Sequence, residues 1–153
     1  MPDYLFYHLE RQGLHDVLPR LLELSLQRDW RCVVKSSAST GLEDLSAHLW
    51  SYKEHSFLAH ARAGDATMAE HAAMQPIWLT DGDDCPNAAQ VLFLIDGAVI
   101  ETTQAYERVV YIFDGQDDVA LQAARAFWKQ LNETGASPTY WQQNENGAWE
   151  KRG

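Results

Sequence analysis

Short, continuously apolar runs alternate along this chain with stretches whose apolar residues recur at helical spacing. Residues 4–9 (YLFYHL), 30–36 (WRCVVKS), 76–80 (PIWLT), 91–95 (VLFLI) and 109–113 (VVYIF) are the apolar runs, and each reads as a strand with little solvent-facing alternation. Between the first two, Leu14, Val17, Leu18, Leu21 and Leu22 repeat as one helical face. Asp16 can cap that helix, and Pro19 is tolerable in its first turn, where the missing N–H costs least. Thr40 and Glu43 stand at capping-box spacing before Leu42, Leu45 and Leu49, predicting a second helix. Residues 53–75 lack clean periodicity and read as a long functional loop with some helix.

The last three runs are each followed by Asp–Gly: Asp81–Gly82, Asp96–Gly97 and Asp114–Gly115 mark strand ends entering turns. Residues 116–134 form a clear helix closed by Gly135. Trp141 and Trp149 then flank Asn146–Gly147, the signature of a small hairpin over residues 139–151. Strands interleaved with helices predict an α/β fold: one three-layer domain, residues 1–153, around a mostly parallel central sheet. The length of 153 residues suits one core, and 46% hydrophobic with 11% aromatic residues is ample to fill it.

Charge and chemistry narrow the function. The net charge of −10 opposes general nucleic-acid binding, which needs a basic surface to neutralise phosphates. The excess is central: residues 36–105 hold two basic against ten acidic side chains, whereas residues 106–153 hold five against seven. No apolar run reaches the ~20 residues of a membrane helix and no basic-then-apolar leader opens the chain, so the expected location is the cytoplasm and no membrane is an expected partner. Cys32 lies within a strand pattern as a reduced core thiol, and two cysteines are too few for a closed zinc site.

Candidate catalytic groups are weak. Neither G-x-x-x-x-G-K-[ST] nor a strand-linked G-x-G-x-x-G is present, so no loop can cradle phosphates. His48, His55, His60 and His71 lack metal-ligand spacing, and Cys85 before Pro86 sits among acids that disfavour a thiolate. Asp81, Asp83 and Asp84, with Asp96 or Asp114, leave one enzymatic alternative: a metal-dependent hydrolase or nuclease. The plainer reading of that cluster is a solvated turn. Expected catalytic residues, metals and cofactors are therefore none.

Two surfaces read as partner sites. On the helix over 116–134, a period of 100° puts Ala120, Ala123, Ala124, Phe127 and Leu131 on the core face. Arg125 and Lys129 point away, one turn apart, with Trp128 at the edge. Such a patch suits an acidic peptide with an aromatic residue or a free carboxylate; the alternative is a solvated face with Trp128 folded onto the core. The second surface, residues 49–61 (LWSYKEHSFLAHA), gathers Trp50, Tyr52, Phe57 and Leu58, either plugging a sheet edge or exposing a hot spot.

The order and spacing of YLFYHL, DWRCVV, LWSYKEHSFLAHA, QPIWLT, VLFLIDG, YERVVYIFDG and AARAFWKQL resemble, nearly end to end, the chi subunit family of bacterial DNA polymerase III holoenzyme. That resemblance implies a fold similar to mononucleotide-binding α/β proteins, here without a phosphate loop, and no catalytic activity. It implies an adaptor of the clamp-loader assembly that holds the acidic C-terminal tail of single-stranded DNA-binding protein. Arg125 and Lys129 match the family's cationic tail contacts, and Trp128, where the family often has tyrosine, matches its apolar pocket. Trp50 and Phe57 match a second interface, for the psi subunit or another clamp-loader or helicase-like protein. DNA is then reached only indirectly. Direct single-strand binding by aromatic stacking would need a basic groove that the charge balance does not supply.

Overall fold

The computed structural model describes residues 3–10, 13–37, 45, 61–62, 76–80, 82, 85, 87–98, 106–143 and 148–151. The strands are β1 (Asp3–Leu9), β2 (Cys32–Ser36), β3 (Ala61–Arg62), β4 (Ile77–Thr80), β5 (Val91–Ile95), β6 (Arg108–Asp114), β7 (Thr139–Gln143) and β8 (Trp149–Lys151). The described helices are α1 (Leu14–Gln27) and α2 (Asp118–Glu133). All eight strands join one sheet in the order β3-β4-β2-β5-β6-β1-β7-β8. Every pairing is parallel except β7 with β8. The five apolar runs are all strands, and the sheet is the α/β sheet their pattern predicts.

The central strands are apolar on both faces because both faces are covered. Leu9, Val34, Phe93 and Ile112 pack with Val17, Leu18 and Leu22 of α1 on one side. Phe6, Leu92, Tyr111 and Phe113 pack with Ala124 and Leu131 of α2 on the other. Burying a leucine such as Leu18 or Leu22 fully stabilises the fold by about 1.5–3 kcal/mol. Leu45, the described residue of the helix predicted to begin at Thr40, is helical and buried with the α1 cluster. Within the stretch read as a long loop, Ala61–Arg62 add a strand beside β4. A two-residue strand is too short to carry a periodic signal.

Local corrections concern helix ends. Gly13 is the N-cap of α1, and Asp16 sits at the third helical position, its carboxylate accepting the Gly13 N–H at 3.2 Å. The helix therefore starts earlier than a cap at Asp16 implies, and buried Pro19 lies inside it rather than in its first turn. That proline forfeits one helical hydrogen bond. Asp117 caps α2 by accepting from Val119 N and Ala120 N. At the other end Gly135 takes φ +88°, with Gly135 N bonded to Asn132 O and Ala136 N to Leu131 O. Those two bonds form the left-handed closure that favours glycine.

Candidate functional site

Neighbouring strands β1 and β6 send their helices to opposite faces, and a crevice of about 700 Å³ opens at their carboxyl ends. This is where open α/β sheets hold ligands. Its walls come from Leu9 and Glu10, from Ile112 to Asp114, from Asp96 and Gly97, and from the first turns of both helices. Four carboxylates line it, and each has a partner. Asp117 Oδ1 takes Val119 N at 3.0 Å and Ala120 N at 3.3 Å. Asp114 takes Gln116 N at 2.9 Å, Asp96 takes the Ser36 hydroxyl at 2.7 Å, and Glu10 takes Gln142 Nε2 at 2.8 Å. Helix N-termini at such a place can greet phosphate, but the Val119 and Ala120 N–H groups at the start of α2 are occupied by Asp117.

The outer surface of α2 is different. Arg125 and Lys129 are exposed and form no ion pair among the described residues. Trp128 is half-buried, so neither sequence reading of it holds alone. Its ring meets Phe6 edge-on at 5.2 Å and Tyr140 at 5.8 Å. Phe127 packs beside it on Phe6 at 5.5 Å and Tyr111 at 5.2 Å. Trp128 thus roots the cationic face in the aromatic core and leaves an edge accessible. Ala123, expected in the core, is exposed and lines the crevice instead. The buried stripe runs through Ala120, Ala124, Phe127, Trp128 and Leu131, rotated toward Trp128 because the large indole gains more by burial than a methyl group.

Beside Trp128 the structure brings together residues that helical spacing could not reveal. His8, 8% exposed, shares a hydrogen bond between its Nδ1 and the Tyr140 hydroxyl. Its Nε2 lies 3.2 Å from Glu10 Oε1, outside hydrogen-bond alignment. Phe113 flanks the ring at 5.1 Å, and Gly115 closes on it so tightly that a Cβ there would collide with Nε2. Burial pushes the His8 pKa below 6.5, and Arg125 adds to this while Glu10 and Asp114 oppose it. Burial likewise raises Tyr140, with Glu10 raising it further and Arg125 opposing. The signal that could have found His8 is the alternation of β1, which puts Tyr4, Phe6 and His8 on the α2 side and Leu5, Tyr7 and Leu9 on the other. Tyr140 needed the β1–β7 register.

Trp50 and Phe57, and Asp81, Asp83 and Asp84, lie outside the described residues, as do His48, His55, His60 and His71. Among the described residues no three His, Cys, Asp or Glu side chains are grouped to hold a metal, and no helix is long and apolar enough to cross a membrane. Cys32 is buried and its thiol is pushed up to about 12 by that burial. Cys85 is half-buried and accepts the Ala89 N–H at 3.3 Å.

Residues 1–139 match the family described as DNA polymerase III chi subunit, HolC. The chain is also 26% identical over 121 residues to a protein of Rickettsia prowazekii (strain Madrid E) named probable DNA polymerase III subunit chi, covering 74% of this chain and 71% of that one. The matched span holds every described strand from β1 to β6, both described helices and the Arg125–Lys129 face. The chain belongs to the DNA polymerase III chi subunit family.

Proposed function

We propose that this replication accessory protein is a non-catalytic adaptor whose α2 face holds the acidic C-terminal tail of single-stranded DNA-binding protein. The observation that carries the reading is the pair of exposed cations, Arg125 and Lys129, without an acidic partner among the described residues, flanking a Trp128 seated on Phe6 and Tyr140. Two like charges one turn apart do not help the helix, so helix stability does not account for them. The cations suit carboxylates of the tail, and the accessible indole edge suits an aromatic terminus. Trp50 and Phe57 are proposed contacts for psi or another clamp-loader or helicase-like protein, and the expected setting is the cytoplasm. DNA is reached through these partners, in keeping with a net charge of −10.

Fluorescence anisotropy of a labelled peptide copying the cognate tail tests the reading. Saturable binding is expected, weakening as salt screens the contacts. Lys129→Ala or Arg125→Ala each removes a charged contact worth roughly 1.5–3 kcal/mol, about ten-fold or more in Kd. Binding untouched by both substitutions moves the site off α2, and absent binding by the folded protein sinks the adaptor reading.

A further inference from the structure

Helical geometry decides what stands next to the cationic face. At about 100° per residue, Trp128 lies about 60° around α2 from Arg125, on the flank between the exposed cations and the buried stripe. Strand alternation puts Phe6 of β1 and its register partner Tyr140 of β7 on the α2 side of the sheet. The three rings meet there. Trp128 packs on Phe6 with ring centroids 5.2 Å apart and planes at 78°, and on Tyr140 at 5.8 Å and 82°, so both contacts are edge to face. Phe6 is 1% exposed and serves as the floor, whereas Trp128 and Tyr140 are half-buried walls.

Tyr140 is oriented against the usual habit of its type. A half-buried tyrosine ordinarily keeps its ring inside and its hydroxyl in water. The Tyr140 hydroxyl instead shares a hydrogen bond with Nδ1 of His8, a buried residue. Its polar tip is thus spent inward, and the ring is what remains for an outside contact. Phe113 backs that ring at 6.1 Å and His8 at 5.7 Å, which holds it in place.

We propose that Tyr140 is a specificity-determining residue of the tail site: with Trp128 it forms an aromatic corner that receives the aromatic terminus of an acidic peptide whose carboxylates meet Arg125 and Lys129. The proposal rests on the tail-binding reading of that face and extends it from the helix to β7. Two rings at right angles offer an incoming ring both a face and an edge, the two arrangements that aromatic pairs prefer. An aliphatic terminus would gain burial alone. Because Tyr140 is already fixed through its hydroxyl, little side-chain ordering is left to be done on binding.

Anisotropy titrations of the full chain test this with a cognate tail peptide and a second peptide carrying leucine in place of the terminal aromatic residue. Tyr140→Leu should weaken the cognate peptide about three- to ten-fold, the scale of one aromatic pair. It should leave the leucine peptide nearly unchanged. Tyr140→Phe keeps the ring and should hold the cognate peptide within about two-fold of wild type. A protein that had merely lost its fold would lose both peptides alike, so the difference between the peptides is the quantity that reports contact. Nuclear Overhauser effects from the peptide's aromatic ring to the Tyr140 ring, expected in the wild-type complex, decide the matter even if Tyr140→Leu fails to fold. Equal affinities lost or kept for the two peptides in folded Tyr140→Leu, or effects that reach Trp128 and not Tyr140, overturn the corner and leave the tail site in place. Absence of binding to the folded wild type overturns the tail-binding reading and the corner together.

Discussion

The crevice above β1 and β6 and the outer face of α2 are neighbours built on the same strands, and they have opposite character. The crevice has the shape and position of a ligand site, with about 700 Å³ of space at the carboxyl ends of parallel strands. Its polar groups, however, are engaged with one another: Asp117 with the helix start, Asp114 with its own turn, Asp96 with Ser36, Glu10 with Gln142. On the α2 face, by contrast, Arg125 and Lys129 stand without an acidic partner among the described residues. Recognition also needs unspent hydrogen-bonding and charge, so the α2 face is the stronger candidate for an acidic peptide.

Gly115 is where the two regions meet, and substituting it should produce the largest effect. It follows the last residue of β6, and its Cα faces the His8 ring so closely that any Cβ collides with Nε2, Cδ2 and Cε1. The ring cannot retreat because Tyr140 holds its far side. Gly115→Ala should destabilise the fold by about 2–3 kcal/mol, the scale of overpacking in a close-fitted interior. Urea denaturation reads this directly. The same substitution in a His8→Ala background should cost much less, since the obstructing ring is gone. An equal cost in both backgrounds would assign the effect to the turn and not to the ring.

The next effects separate the regions. Lys129→Ala and Arg125→Ala should weaken tail peptide about ten-fold or more while moving the unfolding midpoint very little, because exposed charges contribute little to stability. Asp117→Ala should do the reverse. It strips the N-cap of α2, costing about 1 kcal/mol, and should leave peptide affinity within about two-fold, a factor worth only tenths of a kcal/mol. Measuring both quantities on the three variants sharpens the contrast. If Asp117→Ala weakened the peptide as much as Lys129→Ala, the crevice and the face would be one site.

These contrasts also show how much was readable in advance. The strands were legible because a strand buried on both faces must be apolar throughout, as VLFLI and VVYIF are, and nothing else of that length fits. Arg125 and Lys129 were legible because a helix has one periodicity, and the resemblance to the chi family pointed to the same residues. Ala123 was misplaced because an alanine is indifferent: its small area lets a neighbouring tryptophan decide how the helix rolls. For His8 the alternation of β1 gives only the side of the sheet, not the partners. Its meaning comes from Tyr140, 132 positions away, and that contact exists only once β7 is laid parallel to β1.

The smallest effect is a pH dependence of stability. In the unfolded chain His8 takes its proton near 6.5, whereas burial and Arg125 lower that midpoint in the fold. The histidine contribution to stability is therefore complete above pH 6.5 and is lost as pH falls from there through the folded midpoint, with no further loss below it. Free protein should show a fall in unfolding midpoint over that window that His8→Gln removes. A ligand bound in the crevice would meet Glu10 and Asp114, which favour the His8 proton, and should alter that fall. A fall that persists in His8→Gln would place the acid sensitivity on another group and take His8 out of the comparison.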